Sequence, residues 1–134
     1  MARNYNIQTR NVGVDAATYT LDIGPVVPAG MTRYVTFIRA NPLNPSNQEG
    51  SKIYLCSTAL NLATTEALAS IAQKMVIFVA TAATSSVKNV MIPPSPDTDH
   101  PLFTIASGAY LYAHQTCSAN LSSSVALFVQ YYDE

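Results

Sequence analysis

From His100 to Tyr132 the chain runs for 33 residues without an Asp, Glu, Lys or Arg. A soluble domain of average composition, about 25% charged, would place roughly eight there. The stretch is not a membrane span. Ser, Thr, Asn, Gln and His interrupt it, and its longest apolar run, Val125 to Val129, is five residues, far short of the ~20 a spanning helix needs. Protein must therefore cover it, which predicts β-structure with one face on a core and the other against a neighbour.

Composition supports that reading. The 134 residues fit one domain, and a chain of that length can bury enough apolar surface for a core without disulfides or metals. Only 11% of residues are charged against 49% apolar, with a net charge of −1. No basic footprint for nucleic acid exists. Weak self-repulsion favours association. The start, Met1-Ala2-Arg3-Asn4-Tyr5-Asn6, lacks the apolar region of a secretory signal, so the expectation is synthesis in a host cytoplasm and no membrane partner. In that compartment Cys56 and Cys117 are expected as reduced, buried thiols, with a disulfide the alternative.

Residues 1–16 are polar and without pattern, and read as an extended arm carrying Arg3 and Arg10; residues 17–134 read as one domain. Thr18 to Ile23 alternates with period two, as a half-buried strand does. Gly24-Pro25 ends it, and Val27-Pro28-Ala29-Gly30 turns the chain into a strand over Thr32–Arg39. Asn41 to Gly50, with two prolines, is a loop. Further strands are expected over Lys52–Cys56, Val87–Ile92, Leu102–Ile105, Tyr110–Gln115 and Val125–Tyr132. Leu68, Ile71, Ala72 and Met75 fall at helical spacing, so a short helix near residues 65–75 is a candidate, with an extended continuation through Val76 to Ala80 as the alternative. Seven or eight short strands with turn signals about every ten residues predict an all-β fold, an antiparallel β-sandwich or jelly-roll-like barrel. A weak echo supports it: Val27-Pro28-Ala29-Gly30 and Ile105-Ala106-Ser107-Gly108 both precede Tyr-bearing strands.

Chemistry is scarce. Two histidines and two cysteines are a thin supply for nucleophile and base. On a strand, His114 and Cys117 point to opposite faces, so they do not form a dyad there. Asp97, Asp99 and His100 are the densest ligand-like cluster, but two carboxylates among prolines read as a solvated loop, without the spacing of a calcium loop. No phosphate-binding or dinucleotide motif appears. No catalytic residue, metal or cofactor is therefore expected.

The run Pro28-Ala29-Gly30, then Thr32-Arg33-Tyr34-Val35, then Leu102 to Leu111 and a Val-rich terminal strand, resembles small β-sandwich virion proteins of tailed phages, capsid decoration or cement proteins among them. The likeness covers about residues 18–132 as a pattern of strands and turns. It implies a noncatalytic homo-oligomer, a trimer or dimer on a symmetric shell, that clamps neighbouring virion subunits. The interface residues expected on this reading are Arg3, Arg10, Tyr110, Tyr112, His114, Phe128 and Tyr132. Its rival is a carbohydrate- or receptor-binding module, such as a tail-tip domain, presenting Tyr110, Tyr112 and the Asp97–His100 loop.

Overall fold

The computed structural model describes residues 4–13, 20–42, 52–57, 73–78, 90–93, 100–116 and 124–134. Nine strands run through them: β1 (Asn6–Gly13), β2 (Thr20–Ile23), β3 (Arg33–Pro42), β4 (Lys52–Cys56), β5 (Gln73–Phe78), β6 (Val90–Ile92), β7 (Phe103–Ile105), β8 (Leu111–Thr116) and β9 (Ser124–Asp133). They form two antiparallel sheets, one ordered β1-β9-β3-β6 with β7 also on β3, the other ordered β2-β8-β4-β5.

The pairings are nested. β1 pairs with β9, β2 with β8, β3 with both β6 and β7, and β4 with β5. The first half of the chain thus lies along the second as one long hairpin. Rolling that hairpin adds the pairs β3–β9 and β4–β8 and splits it between two sheets. This is jelly-roll winding, with β6 and β7 as two pieces of one interrupted edge strand.

The core lies between the sheets. Val125, Leu127, Val129 and Tyr131 of β9 meet Ile53 and Leu55 of β4 and Leu111 and Ala113 of β8, all buried. Every second residue supplies this face, as strand geometry requires. On β3 the alternation breaks. Arg33 and Val35 face inward, then a bulge between Val35 and Phe37 shifts the register so that Ile38 and Ala40 face inward instead. Thr36, the extra residue, is buried and donates its hydroxyl to Gln130 O at 3.2 Å. A bulge bends its strand and increases its twist, as a rolled sheet needs.

One end of the core is closed by Arg33, 1% exposed. Its Nε and Nη2 donate to the two carboxylate oxygens of Asp133, both at 2.8 Å, and its Nη1 donates to Pro25 O at 2.7 Å. The guanidinium lies 3.9 Å from the Tyr131 ring centroid. A bidentate pair of this kind, with a further guanidinium donor on a backbone carbonyl, is a strong form of ion pair.

The two echoing segments are two turns docked on each other. Met31 N donates to Pro28 O and Ala109 N to Ala106 O, both at 3.1 Å, with Gly30 and Gly108 at φ +78° and +79°. Positive φ at the third position is the type II turn, for which Gly is suited. The turns join through Val27 N to Ala109 O and Gly108 N to Val27 O, both 2.9 Å, while the Ser107 hydroxyl bridges Gly30 N and Pro28 O at 3.1 Å each.

Two sequence expectations change. Gln73 to Met75 lie in β5, not in a helix, because β5 pairs with the buried β4 and takes its place in the ladder; residues 65–72 lie outside the described residues. Within the segment read as an arm, residues 6–13 form β1, paired along its length with β9. Its polar side chains gave no alternation because β1 is an edge strand with exposed residues on it.

Asp133→Ala would strand the Arg33 guanidinium in the core. The expected cost is roughly 3–5 kcal/mol, the usual result of removing one partner of a buried pair, read as a lowered urea midpoint. Gly108→Ala meets no atom within 4 Å, so only its backbone strain should appear, about 1–2 kcal/mol in the same measurement.

Candidate assembly surface

Each sheet has a second face, and the cross-strand register fixes what each carries. On the four-stranded sheet, His114 lies opposite Tyr54 and Tyr112 opposite Cys56. His114 is 5%, Tyr54 8% and Cys56 0% exposed, so much of this face is already covered within the chain. Tyr110 and Tyr112 are half-buried, their ring centroids 5.7 Å apart and their planes 45° apart. Rings so tilted do not make one flat platform for a sugar.

Cys56 is a free thiol on the same face as His114. Burial pushes its pKa above the ordinary value of 9.0, because desolvation penalises the thiolate. An activated nucleophile needs the opposite shift. Cys117 lies outside the described residues.

The outer face of the five-stranded sheet is built in rows across β1, β9 and β3. Ile7, Gln130 and Phe37 form one row; Thr9, Phe128 and Arg39 the next; Asn11, Ala126 and Asn41 the third. Beyond Arg39 the second row continues to Met91 on β6. At the far end Tyr132 stacks on Tyr34, centroids 4.9 Å apart, and takes the edge of Tyr5 at 5.5 Å. Phe37 and Phe128 meet edge to face at 6.0 Å. Ile7 and Met91, at 54% and 47%, are the most exposed large apolar side chains among the described residues, and they sit on opposite sides of this face.

Small Ala126 between two asparagines leaves a depression. A groove of about 570 Å³ opens there, lined by Thr9, Arg10, Asn11, Arg39, Asn41, Ala126, Leu127 and Phe128. Arg10, exposed on β1, reaches Asp22 at 3.9 Å. Arg39, also exposed, holds its guanidinium 5.4 Å from the Phe128 ring centroid.

The residues expected at an interface are thus divided. Arg10 and Phe128 share the groove. Tyr132 closes the aromatic end of the same face but is 4% exposed. Tyr110, Tyr112 and His114 belong to the other sheet, and Arg3 lies outside the described residues. Arg39, Asn11 and Asn41 were missed. Their positions in the chain carry no shared motif; only the register of β1, β9 and β3 brings them together. Among the described residues, no cluster of three or more His, Cys, Asp or Glu could hold a metal ion.

No family model matches this chain, and no curated protein matches it. Among solved structures it is similar to a chain of the cyanophage Pam1 capsid asymmetric unit, with 19% identity, a TM-score of 0.46 and coverage of 97% of this chain and 85% of that one. It is also similar to a chain of the virus-like particle of extra small virus of the giant freshwater prawn Macrobrachium rosenbergii, with 14% identity, a TM-score of 0.27 and coverage of 98% and 81%. The strand order establishes the jelly roll by itself.

The Cys56 shift has a testable sign. The unfolded thiol loses its proton near the ordinary value while the folded one keeps it, so its contribution to stability falls as pH rises past 9.0. Between about pH 8 and about pH 10, wild type should lose more urea-unfolding stability than Cys56→Ala. In the folded protein the thiol should resist alkylation until denaturant is added.

Proposed function

We propose that this chain is a noncatalytic structural protein of a phage-like virion, a homo-oligomeric jelly roll that decorates and stabilises a capsid through contacts between subunits. The observation that carries this reading is the outer face of the five-stranded sheet. Its described residues include Ile7, Tyr34, Phe37, Met91, Phe128 and Tyr132, with Arg39 and, at the groove wall, Arg10 as cations and no carboxylate among them. Depletion of charge and enrichment in aromatics, Met and Arg is the composition of an interface core.

The contact would work by repetition. A standard interface buries about 1,600 Å² in total, and symmetry multiplies a modest contact into high avidity. Arg3, Arg10 of β1, and the half-buried Tyr110 and Tyr112, supply further contacts on this reading, with a virion protein or a second copy as partner.

Light scattering coupled to size exclusion should return a multiple of 14.4 kDa. Met91→Glu, which puts a charge on the exposed face without touching the core, should weaken association at least about tenfold, equivalent to about 1.4 kcal/mol. A monodisperse 14.4 kDa species at high micromolar concentration, with no binding to virions, would sink the proposal.

A further inference from the structure

The groove on the five-stranded sheet has a chemistry more specific than apolar contact. Arg39 is exposed and lies over the Phe128 ring, and among the described residues no carboxylate reaches it. A guanidinium held over an aromatic face is oriented, yet keeps its forked N–H groups for a planar anion. Beside it, Asn11 and Asn41 flank Ala126, each about 4.8 Å from the central strand. Each amide offers both donors and an acceptor, a match for peptide groups of an extended segment. Arg10 forms the wall, its own partner Asp22 no closer than 3.9 Å. Among the described residues no carboxylate lines the groove.

The sequence contains the complement. Asp97-Thr98-Asp99 puts two carboxylates within three residues, and no Lys or Arg follows Lys88. Pro93, Pro94, Pro96 and Pro101 surround it, a composition that favours extended chain at low ordering cost.

We infer that the Arg39 groove receives the Asp97–Asp99 segment of a second copy, with the Arg39 guanidinium paired to one of its carboxylates. The inference rests on the homo-oligomeric reading above and names its contact. Each copy carries one groove and one acidic segment, so the contact is made either once per pair, head to tail, or twice across a two-fold axis.

Two variants test it, Arg39→Glu and the double variant Asp97→Asn with Asp99→Asn. Each alone should lose association at least tenfold in sedimentation. Mixed one to one they should form a heterodimer and stop there, because only one intact groove can meet one intact acidic segment. If wild type assembles and both variants assemble equally well, this contact is wrong while the oligomer stands. If wild type is monomeric at every concentration, the oligomeric reading itself falls and takes the contact with it. If both variants lose association but the mixture gives no heterodimer, the contact lies within one chain and the inference is overturned. Arg39→Ala, checked by circular dichroism for an intact fold, guards against a folding defect. As a second readout, a synthetic peptide of residues 94–101 titrated into labelled wild-type protein should shift the Arg39 Nε–H and the Asn11 and Asn41 side-chain amides. The same peptide with both Asp changed to Asn should not; shifts elsewhere, or none, count against the contact.

Discussion

The Arg33–Asp133 pair holds the rolled hairpin shut. β3 and β9 are the central strands of the five-stranded sheet and lie side by side only after the hairpin has rolled. Their pairing closes residues far apart in the chain, so its entropy cost must be met by strong contacts. Arg33 meets that cost three ways at once: a bidentate pair with Asp133, a bond to Pro25 O, and the face of Tyr131. Thr32 and Glu134 extend the ladder past it by reciprocal backbone bonds of 2.9 and 3.0 Å. Asp133 is also the residue at which the 33-residue charge gap ends. The first charge after the gap is consumed inside the fold.

That placement explains how so uncharged a segment behaves in the fold. β8 and β9 turn Leu111, Ala113, Val125, Leu127, Val129 and Tyr131 into the core. Their other faces have separate fates. Around β8 the outer face is buried within the chain at His114, Tyr54 and Cys56. Around β9 it is covered at one end by stacked tyrosines and left open at the other, where Phe128, Arg39 and the asparagines surround the groove. The demand for a neighbour, inferred for the segment as a whole, thus narrows to one half of one sheet face.

Much of the fold was legible residue by residue. The alternations in Thr18–Ile23, Tyr110–Gln115 and Val125–Tyr132 correspond to β2, β8 and β9, and the echo of Pro28-Ala29-Gly30 in Ala106-Ser107-Gly108 is two turns that dock. What escaped did so for physical reasons. β1 is a polar edge strand, so pairing rather than side-chain pattern makes it a strand. Met75 sits at helical spacing from Leu68, but hydrogen bonding to β4 overrides a local preference. The Thr36 bulge inverts the facing of β3 midway, which no period-two reading of Arg33 to Ala40 can show.

The sequence by itself determined the class of fold, because alternation, β-branched residues and turn glycines act locally, and it determined that this chain is short of charge where a free surface would carry it. Tertiary structure alone decided where that shortage matters. Thr9, Phe128 and Arg39, or Asn11, Ala126 and Asn41, become neighbours only through the register of three strands distant in the chain. Register is a property of the whole rolled sheet. It placed the first charge after the gap, Asp133, against a buried arginine, and left Arg39 on the surface with an aromatic ring beneath it and no carboxylate in reach among the described residues.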